Sequence, residues 1–407
     1  MTLTSHPEEC VEARDVAAPA GPRVLLITDK FPPHLGGTAV IYGNWCVRFP
    51  PAAVRVITVQ HPAGWVAYDR AAPFPLERVP WLDIPKIRYP LAWVRMWRAA
   101  LRRARQWRPD VVHAGQALET GWIARSLWRR CGIPYVIHTY GEELTCWSQT
   151  SRWTWRQLRA ILADAAAVTA ISCYTAGLLT QLDLYHGPVT LLYPGVETER
   201  FAGGNGAAFR ARHGLGDAPI LLSVGRLMRR KGHDRVLAGL RRICEQVPGC
   251  RYVIAGSGPE ETRLRSLAAE LDLGAHVRFL GAVPRTEVPD CLAAADVFVH
   301  PNRRLANGDV EGFGIVFLEA GAAGLPVIGG NSGGTTEAVQ HGVTGYLVDG
   351  EDVDEIVARC VELLRDPALR QRMGAAGREW AARFTWDAAA ATAWELSCRV
   401  AAGERSR

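Results

Sequence analysis

The stretch Asp309-Val310-Glu311-Gly312-Phe313-Gly314-Ile315-Val316-Phe317-Leu318-Glu319 decides how the rest of this 407-residue chain is read. Gly312 and Gly314 remove side chains where a ligand must approach backbone, and the apolar run 315–318, continued by Ala320, Ala322 and Ala323, predicts a buried helix that opens there. The first amides of such a helix have no partner inside it. That end attracts phosphate.

Glu311 and Glu319 stand eight residues apart, so a fully helical interval would separate them by about 12 Å, beyond the roughly 5–9.5 Å of paired hydrolytic carboxylates. With a phosphate-binding helix start between them, they suit opposite ends of an extended ligand such as a nucleotide sugar. A dipole-facing acid plus an unrelated helix acid fits the spacing too, and spacing alone leaves both readings open.

Outward from this stretch, short β-branched or aliphatic runs alternate with helical segments. Runs at 24–28, 54–59, 111–113, 135–138, 168–171 and 190–193 precede a Gly203-Gly204-Asn205-Gly206 marker read as flexible. Runs at 220–224, 252–255, 277–280, 297–300, 326–329 and 346–348 follow it. This rhythm predicts an α/β chain of two Rossmann-like, doubly wound domains facing each other across a cleft, because βαβ units build parallel sheets and ligands bind beyond their strand C-termini. The expected division is a disordered lead-in at 1–22, a first domain at 23–200, a linker at 201–218, a second domain at 219–383 and a terminal helix at 384–407.

The length supports two cores, since single cores stop growing near about 250–300 residues. With 48% apolar and 22% charged residues the chain is an ordinary globular protein, and a net charge of +6 permits an anionic ligand without demanding one. Nucleic acid is not expected as a partner. Ten cysteines, none in a C-x-x-C pair, point to free thiols in a reducing compartment. The acidic N-terminal stretch lacks the apolar core of a signal peptide, and no run reads as a membrane span, so a cytoplasmic protein is expected.

Four loops carry chemistry. Thr28-Asp29-Lys30-Phe31-Pro32-Pro33-His34-Leu35-Gly36-Gly37 follows the first strand, and Gly36-Gly37 serves either a phosphate or a plain tight turn. His138-Thr139-Tyr140-Gly141-Glu142-Glu143 ends another strand, where His138 is either a substrate contact or a satisfied core histidine. In Gly225-Arg226-Leu227-Met228-Arg229-Arg230-Lys231-Gly232 a forked and a point cation suit two adjacent phosphates, although a charge run can equally be a solvated loop. Ala255-Gly256-Ser257-Gly258-Pro259 has Glu261 where a dinucleotide fingerprint needs Gly or Ala, so it reads as a tight turn. Residues 86–108 bear seven arginines and no acid, with Trp93, Trp97, Ala100, Leu101 and Ala104 at helical spacing. They form either an interfacial helix meeting an anionic membrane surface on the inner face or a domain helix with solvated arginines.

Gly225-Arg226 with Lys231-Gly232, Gly256-Ser257-Gly258-Pro259, Phe279-Leu280-Gly281, Ala295-Asp296, Glu311-Gly312-Phe313-Gly314 with Glu319, and Asn331-Ser332-Gly333-Gly334 with Glu337 occur in that order. Together they resemble the retaining, nucleotide-sugar-dependent glycosyltransferases of the GT-B fold, the family that includes the phosphatidylinositol mannosyltransferases. The resemblance implies a hexose moved from a nucleotide sugar, GDP-mannose ahead of UDP-glucose, to an unidentified lipid or glycan acceptor. It implies that Arg226 and Lys231 neutralise the donor diphosphate and that Glu311 and the amides of Gly312, Phe313, Gly314, Ile315 and Val316 hold sugar and phosphates. Glu319 would take the ribose, Val283 the base and Gly37 a phosphate from the opposite domain. No metal or other cofactor is implied. The sequence departs from the family where Tyr140 replaces a histidine, and His138, two residues earlier on the same strand face, is the candidate substitute. An epimerase on the same fold, and a binder of anionic lipid without catalysis, are the rival readings.

Overall fold

A computed structural model describes residues 21–404 except 35, 61–63, 82–87 and 148–150. The expected lead-in at 1–22 therefore lies almost wholly outside the described residues, as do Leu35 and the start of the arginine-rich segment. Two fully parallel sheets form. The first has seven strands: β1 (Val24–Ile27), β2 (Val54–Val59), β3 (Leu76–Val79), β4 (Val111–Ala114), β5 (Tyr135–Thr139), β6 (Ala167–Ala170) and β7 (Val189–Leu191), in the order β3-β2-β1-β4-β5-β6-β7. The second has six: β8 (Ile220–Val224), β9 (Arg251–Ala255), β10 (Val277–Gly281), β11 (Val297–His300), β12 (Val327–Gly330) and β13 (Gly345–Val348), in the order β10-β9-β8-β11-β12-β13. Strand order reverses between β1 and β4 and again between β8 and β11, which opens a crevice at the strand C-termini of each sheet.

The strands read as unbroken apolar runs because both sheet faces are covered. In β1, Val24 and Leu26 pack with Tyr42 and Trp45 of the helix Gly37–Arg48, while Leu25 and Ile27 pack with Ala92, Met96 and Ala100 of the helix Arg88–Gln106. Successive residues face opposite layers, and each layer needs its own apolar partner. Strand β3 was not expected from the sequence. It lies at the sheet edge and carries Glu77 and Arg78 in a run of four, so no apolar run marks it.

In the helix Arg88–Gln106 the apolar stripe faces the core of the first domain, while Arg98, Arg102 and Arg105 stay exposed. Ala92, Met96, Ala99, Ala100 and Ala104 are buried in the first domain, Trp97 donates its indole N–H to Ser126 at 3.0 Å, and Arg103 pairs with Glu77 at 2.7 Å. Its apolar stripe is core. Among the described residues no helix is long and apolar enough to cross a membrane.

The Gly-rich marker also differs from expectation. Residues Thr198–Ala202 and Gly206–His213 are helical, the second capped by the Asn205 side chain accepting from the Ala208 amide at 3.0 Å. A Cβ on Gly204 or Gly206 would lie 2.2 Å from the carbonyl oxygens of Pro289 and Ala293, so these glycines permit close packing on the second domain rather than freedom of the chain. The last helix, Trp386–Ala401, lies on the first domain. Trp394 meets Phe49, and Ser397 shares a 2.9 Å hydrogen bond with His113.

Candidate active site

The crevice of the second sheet collects charge from three loops. The chain leaves β8 through Gly225 and makes one 3-10 turn, Arg229–Lys231, before the helix His233–Gln246. Gly232 sits at φ 75° and packs so closely on Pro301 that a Cβ would touch its carbonyl oxygen, which fixes the turn and directs Lys231 inward. Opposite, residues 309–314 stay in a loop, and the helix begins only at Ile315, so the interval from Glu311 to Glu319 is not one helix.

Lys231 Nζ lies 3.1 Å from Glu311 Oε2, and the Asn302 amide donates to the same oxygen at 3.2 Å. Arg230 binds Asp309 at 3.1 Å and reaches within 3.7 Å of Glu311. Burial alone would raise the Glu311 carboxyl, but Lys231 and Arg230 overcome it and hold it down to about 2. Burial pushes Asp309 the other way, upward, with Arg230 only partly offsetting it. Beneath them burial, with the charge of Lys231 added, holds His300 well below the usual histidine range. Both loop cations lie against Glu311, which itself neighbours Gly314 at the start of the helix Ile315–Ala322, and that helix has no side-chain cap.

The two domains meet at this point. A Cβ on Gly312 would lie 2.1 Å from the Tyr140 carbonyl oxygen, the Ser172 hydroxyl donates to the Gly312 carbonyl at 2.7 Å, and Gly37 faces Ile315. Glu337 of the second domain accepts the Cys173 and Tyr174 amides of the first-domain helix Cys173–Gln181 at 2.8 and 2.9 Å, and the Tyr193 hydroxyl at 2.7 Å.

The structure thus brings together Lys231, Glu311, Gly312, Gly314, Ile315 and, from across the cleft, Gly37. Glu319 is buried and ion-paired with Arg285 at 2.6 Å, without the alignment of a hydrogen bond. Val283 packs on the core two residues before that arginine, and Val316 lies partly buried in the first turn of the helix, while the Phe313 ring is core against Tyr193 and Phe384. Arg226 is exposed, and its side chain makes no ion pair or hydrogen bond among the described residues. Arg230, held by Asp309, is instead the arginine nearest Glu311, and Asp309 at the head of the quoted stretch was the one available sign of an inward-facing arginine.

His138 is corrected outright. It is 1% exposed, and its two ring nitrogens are taken by His113 at 2.9 Å and Thr169 at 2.7 Å. The ring lies under the sheet face, out of reach of a substrate. Tyr140 also turns inward, its hydroxyl donating to that of Tyr42, which in turn donates to the Gly115 carbonyl. Neither side chain replaces the family histidine.

Two doubly wound domains with a cation-carboxylate site at a helix start on the cleft define a glycosyltransferase of the GT-B class. Residues 35–200 match the family model described as Glycosyltransferase Family 4, and residues 207–380 match Glycosyl transferases group 1. A GDP-mannose-dependent alpha-(1-6)-phosphatidylinositol monomannoside mannosyltransferase of Mycobacterium tuberculosis is 39% identical over 91% of this chain and 96% of its own. A D-inositol 3-phosphate glycosyltransferase of Thermobispora bispora is 32% identical over 89% of this chain and 85% of its own. Among solved structures, a sucrose-phosphate synthase from Thermosynechococcus elongatus superposes with a TM-score of 0.79 at 23% identity, covering 93% of this chain and 99% of that one. The chain belongs to the family 4 glycosyltransferases, and it is an enzyme of glycosyl transfer.

Proposed function

We propose that this enzyme transfers mannose from GDP-mannose to a phosphoinositide glycolipid with retention of anomeric configuration. The observation that carries the reading is the Lys231–Glu311 pair beside the free amides of the helix Ile315–Ala322. A diphosphate seated there meets Lys231, the exposed and unpaired Arg226 swinging in, and the helix dipole, which together stabilise leaving-group charge as the glycosidic bond breaks. Glu311 holds the sugar, Glu319 takes the ribose once Arg285 yields it, and a donor phosphate oxygen receives the acceptor proton. The cations do the work that a divalent metal does elsewhere, so chelators should leave the rate unchanged. The choice of guanosine and mannose rests on the similarity to the mycobacterial enzyme.

The test is a screen of GDP- and UDP-sugars for donor turnover by the purified chain in EDTA. GDP-mannose should lead, and a preference for a UDP-sugar, or a strict metal requirement, overturns that part. A lipid acceptor also requires a membrane surface, which the exposed Arg98, Arg102 and Arg105 can meet by charge. Flotation with anionic vesicles at physiological salt should retain the protein; failure to float argues for an acceptor delivered in solution.

A further inference from the structure

His300 ends β11 beneath the cation loops. It is fully buried, and neither of its ring nitrogens has a hydrogen-bond partner among the described residues. Phe298, Phe317 and His233 surround the ring at centroid separations of 4.9, 6.2 and 5.1 Å. A Cβ on Gly225 would stand 3.9 Å from His300 Cε1, the carbon between the two nitrogens, and 3.9 Å from Lys231 Nζ. The imidazole and the ammonium therefore bound the same hollow over Gly225. Burial and the nearby Lys231 keep His300 neutral, so it carries one N–H and one bare nitrogen.

The hydrogen bonds around His233 fix which of its nitrogens holds the proton. Ser223 has one hydroxyl proton and gives it to the Val299 carbonyl, so in its 2.7 Å contact with Tyr252 the tyrosine is the donor. With that proton spent, the 3.0 Å contact between Tyr252 and His233 Nδ1 needs the proton on nitrogen. Burial, with Lys231 adding to it, holds His233 down to about 3, so the ring is neutral. Its Nε2 is therefore a bare acceptor, buried and unpartnered. On the other side of His300, the three N–H groups of Lys231 have Glu311 as their one partner among the described residues. The ring of His300 thus stands between an open acceptor and an open donor. Two unpartnered nitrogens in a buried ring are a standing cost to stability. They find a use when a ligand draws Lys231 away from Glu311.

We propose that His300, backed by His233, is a positioning residue for Lys231: it accepts a second ammonium proton and holds the amine toward the donor diphosphate when Glu311 turns to the sugar. An ammonium with acceptors on two sides presents its third N–H in a fixed direction, whereas one tethered only to Glu311 follows that side chain away. A turn of the His300 ring closes a line of hydrogen bonds from Lys231 through His300 and His233 to Tyr252, Ser223 and the Val299 carbonyl. That line anchors the cation to strands β8, β9 and β11 rather than to its own loop. The assignment rests on the transfer reading above and concerns how the diphosphate is held.

The experiment measures GDP affinity by calorimetry, or UDP affinity if the donor screen selects a UDP-sugar, together with donor turnover. It compares the wild type with His300→Leu, His300→Gln, Lys231→Ala and the double variant His300→Leu/Lys231→Ala. His300→Leu should weaken nucleotide binding and lower kcat/KM for the donor by about tenfold, the equivalent of one lost hydrogen bond to a charged group. Its melting temperature should stay level or rise, since an apolar side chain replaces an unsatisfied ring. His300→Gln, which keeps an acceptor and a donor, should recover most of the loss. In the Lys231→Ala background His300→Leu should cost less than about twofold, because its effect passes through the amine. Wild-type affinity and turnover in His300→Leu, equal losses in the Leu and Gln variants, a melting temperature well below wild type, or a full loss added to that of Lys231→Ala each overturn the positioning role and leave the transfer reading standing. A wild type that binds neither nucleotide and turns over no nucleotide sugar overturns the transfer reading and the positioning role with it.

Discussion

The two crevices of this molecule share one topology and differ in how their charges are kept. At β8 and β11 the cations are already matched, Lys231 with Glu311 and Arg230 with Asp309, so the proposed donor side is preorganised by its own ion pairs. At β1 and β4, Asp29, Lys30 and Glu119 stand close without pairing. The first arrangement favours a ligand that exchanges partners with a built network, such as a diphosphate. In the second, burial raises both carboxyls toward the neutral form, and no such network is built.

The largest effect should come from breaking the matched side. Lys231→Ala is expected to lower kcat/KM by about 10² to 10³, the usual loss when one donor to a developing charge is removed; an unaltered rate with every accepted donor would take the amine out of the site. Next is Arg230→Met, which keeps the bulk and deletes the counter-charge of Asp309. Both side chains are largely buried, so a loss of about 3 kcal/mol in urea denaturation is expected. An unchanged midpoint would mean that the pair is only a surface contact and that the donor side is no more settled than the first crevice.

The smallest effect concerns the histidines beneath the first crevice. Burial holds His113 down to about 4 and His138 lower than usual as well, with His113 adding to the latter. Their folded values lie below the ordinary 6.5, so the native state binds fewer protons there. The stability they contribute is complete above about pH 6.5 and is lost as pH falls toward 4. Melting temperature should drop across that window, and His113→Gln should flatten the drop. For His138→Gln, stability should fall while kcat/KM of the folded fraction changes by less than about threefold; a collapse of kcat alone would restore it to the site.

Much of this was legible in the sequence because both sheets are buried on each face. All six strands of the second domain show as apolar runs, and the glycines around Glu311 mark where backbone must come close. What stayed hidden depends on distant partners. Edge strand β3 is held by Arg102 and Arg103 reaching Glu77, and Arg230 is distinguished from Arg226 only by Asp309, 79 residues away. His138 lies at the right strand end for catalysis, yet its face of β5 lies under Tyr42 and Trp45. The unpartnered acids of the first crevice, Asp29 and Glu119, show no motif, since they come from two separate loops.

The helix Cys173–Gln181 borrows part of its cap. Ser172 serves one of its leading amides, and two more are served by Glu337, which belongs to the other lobe. If the lobes swing apart to admit a bulky acceptor, those two amides pass to water and a carboxylate is stranded, so each opening stroke works against a spring of about 1.5–3 kcal/mol per charged hydrogen bond. A first lobe expressed alone would carry that helix with a frayed beginning.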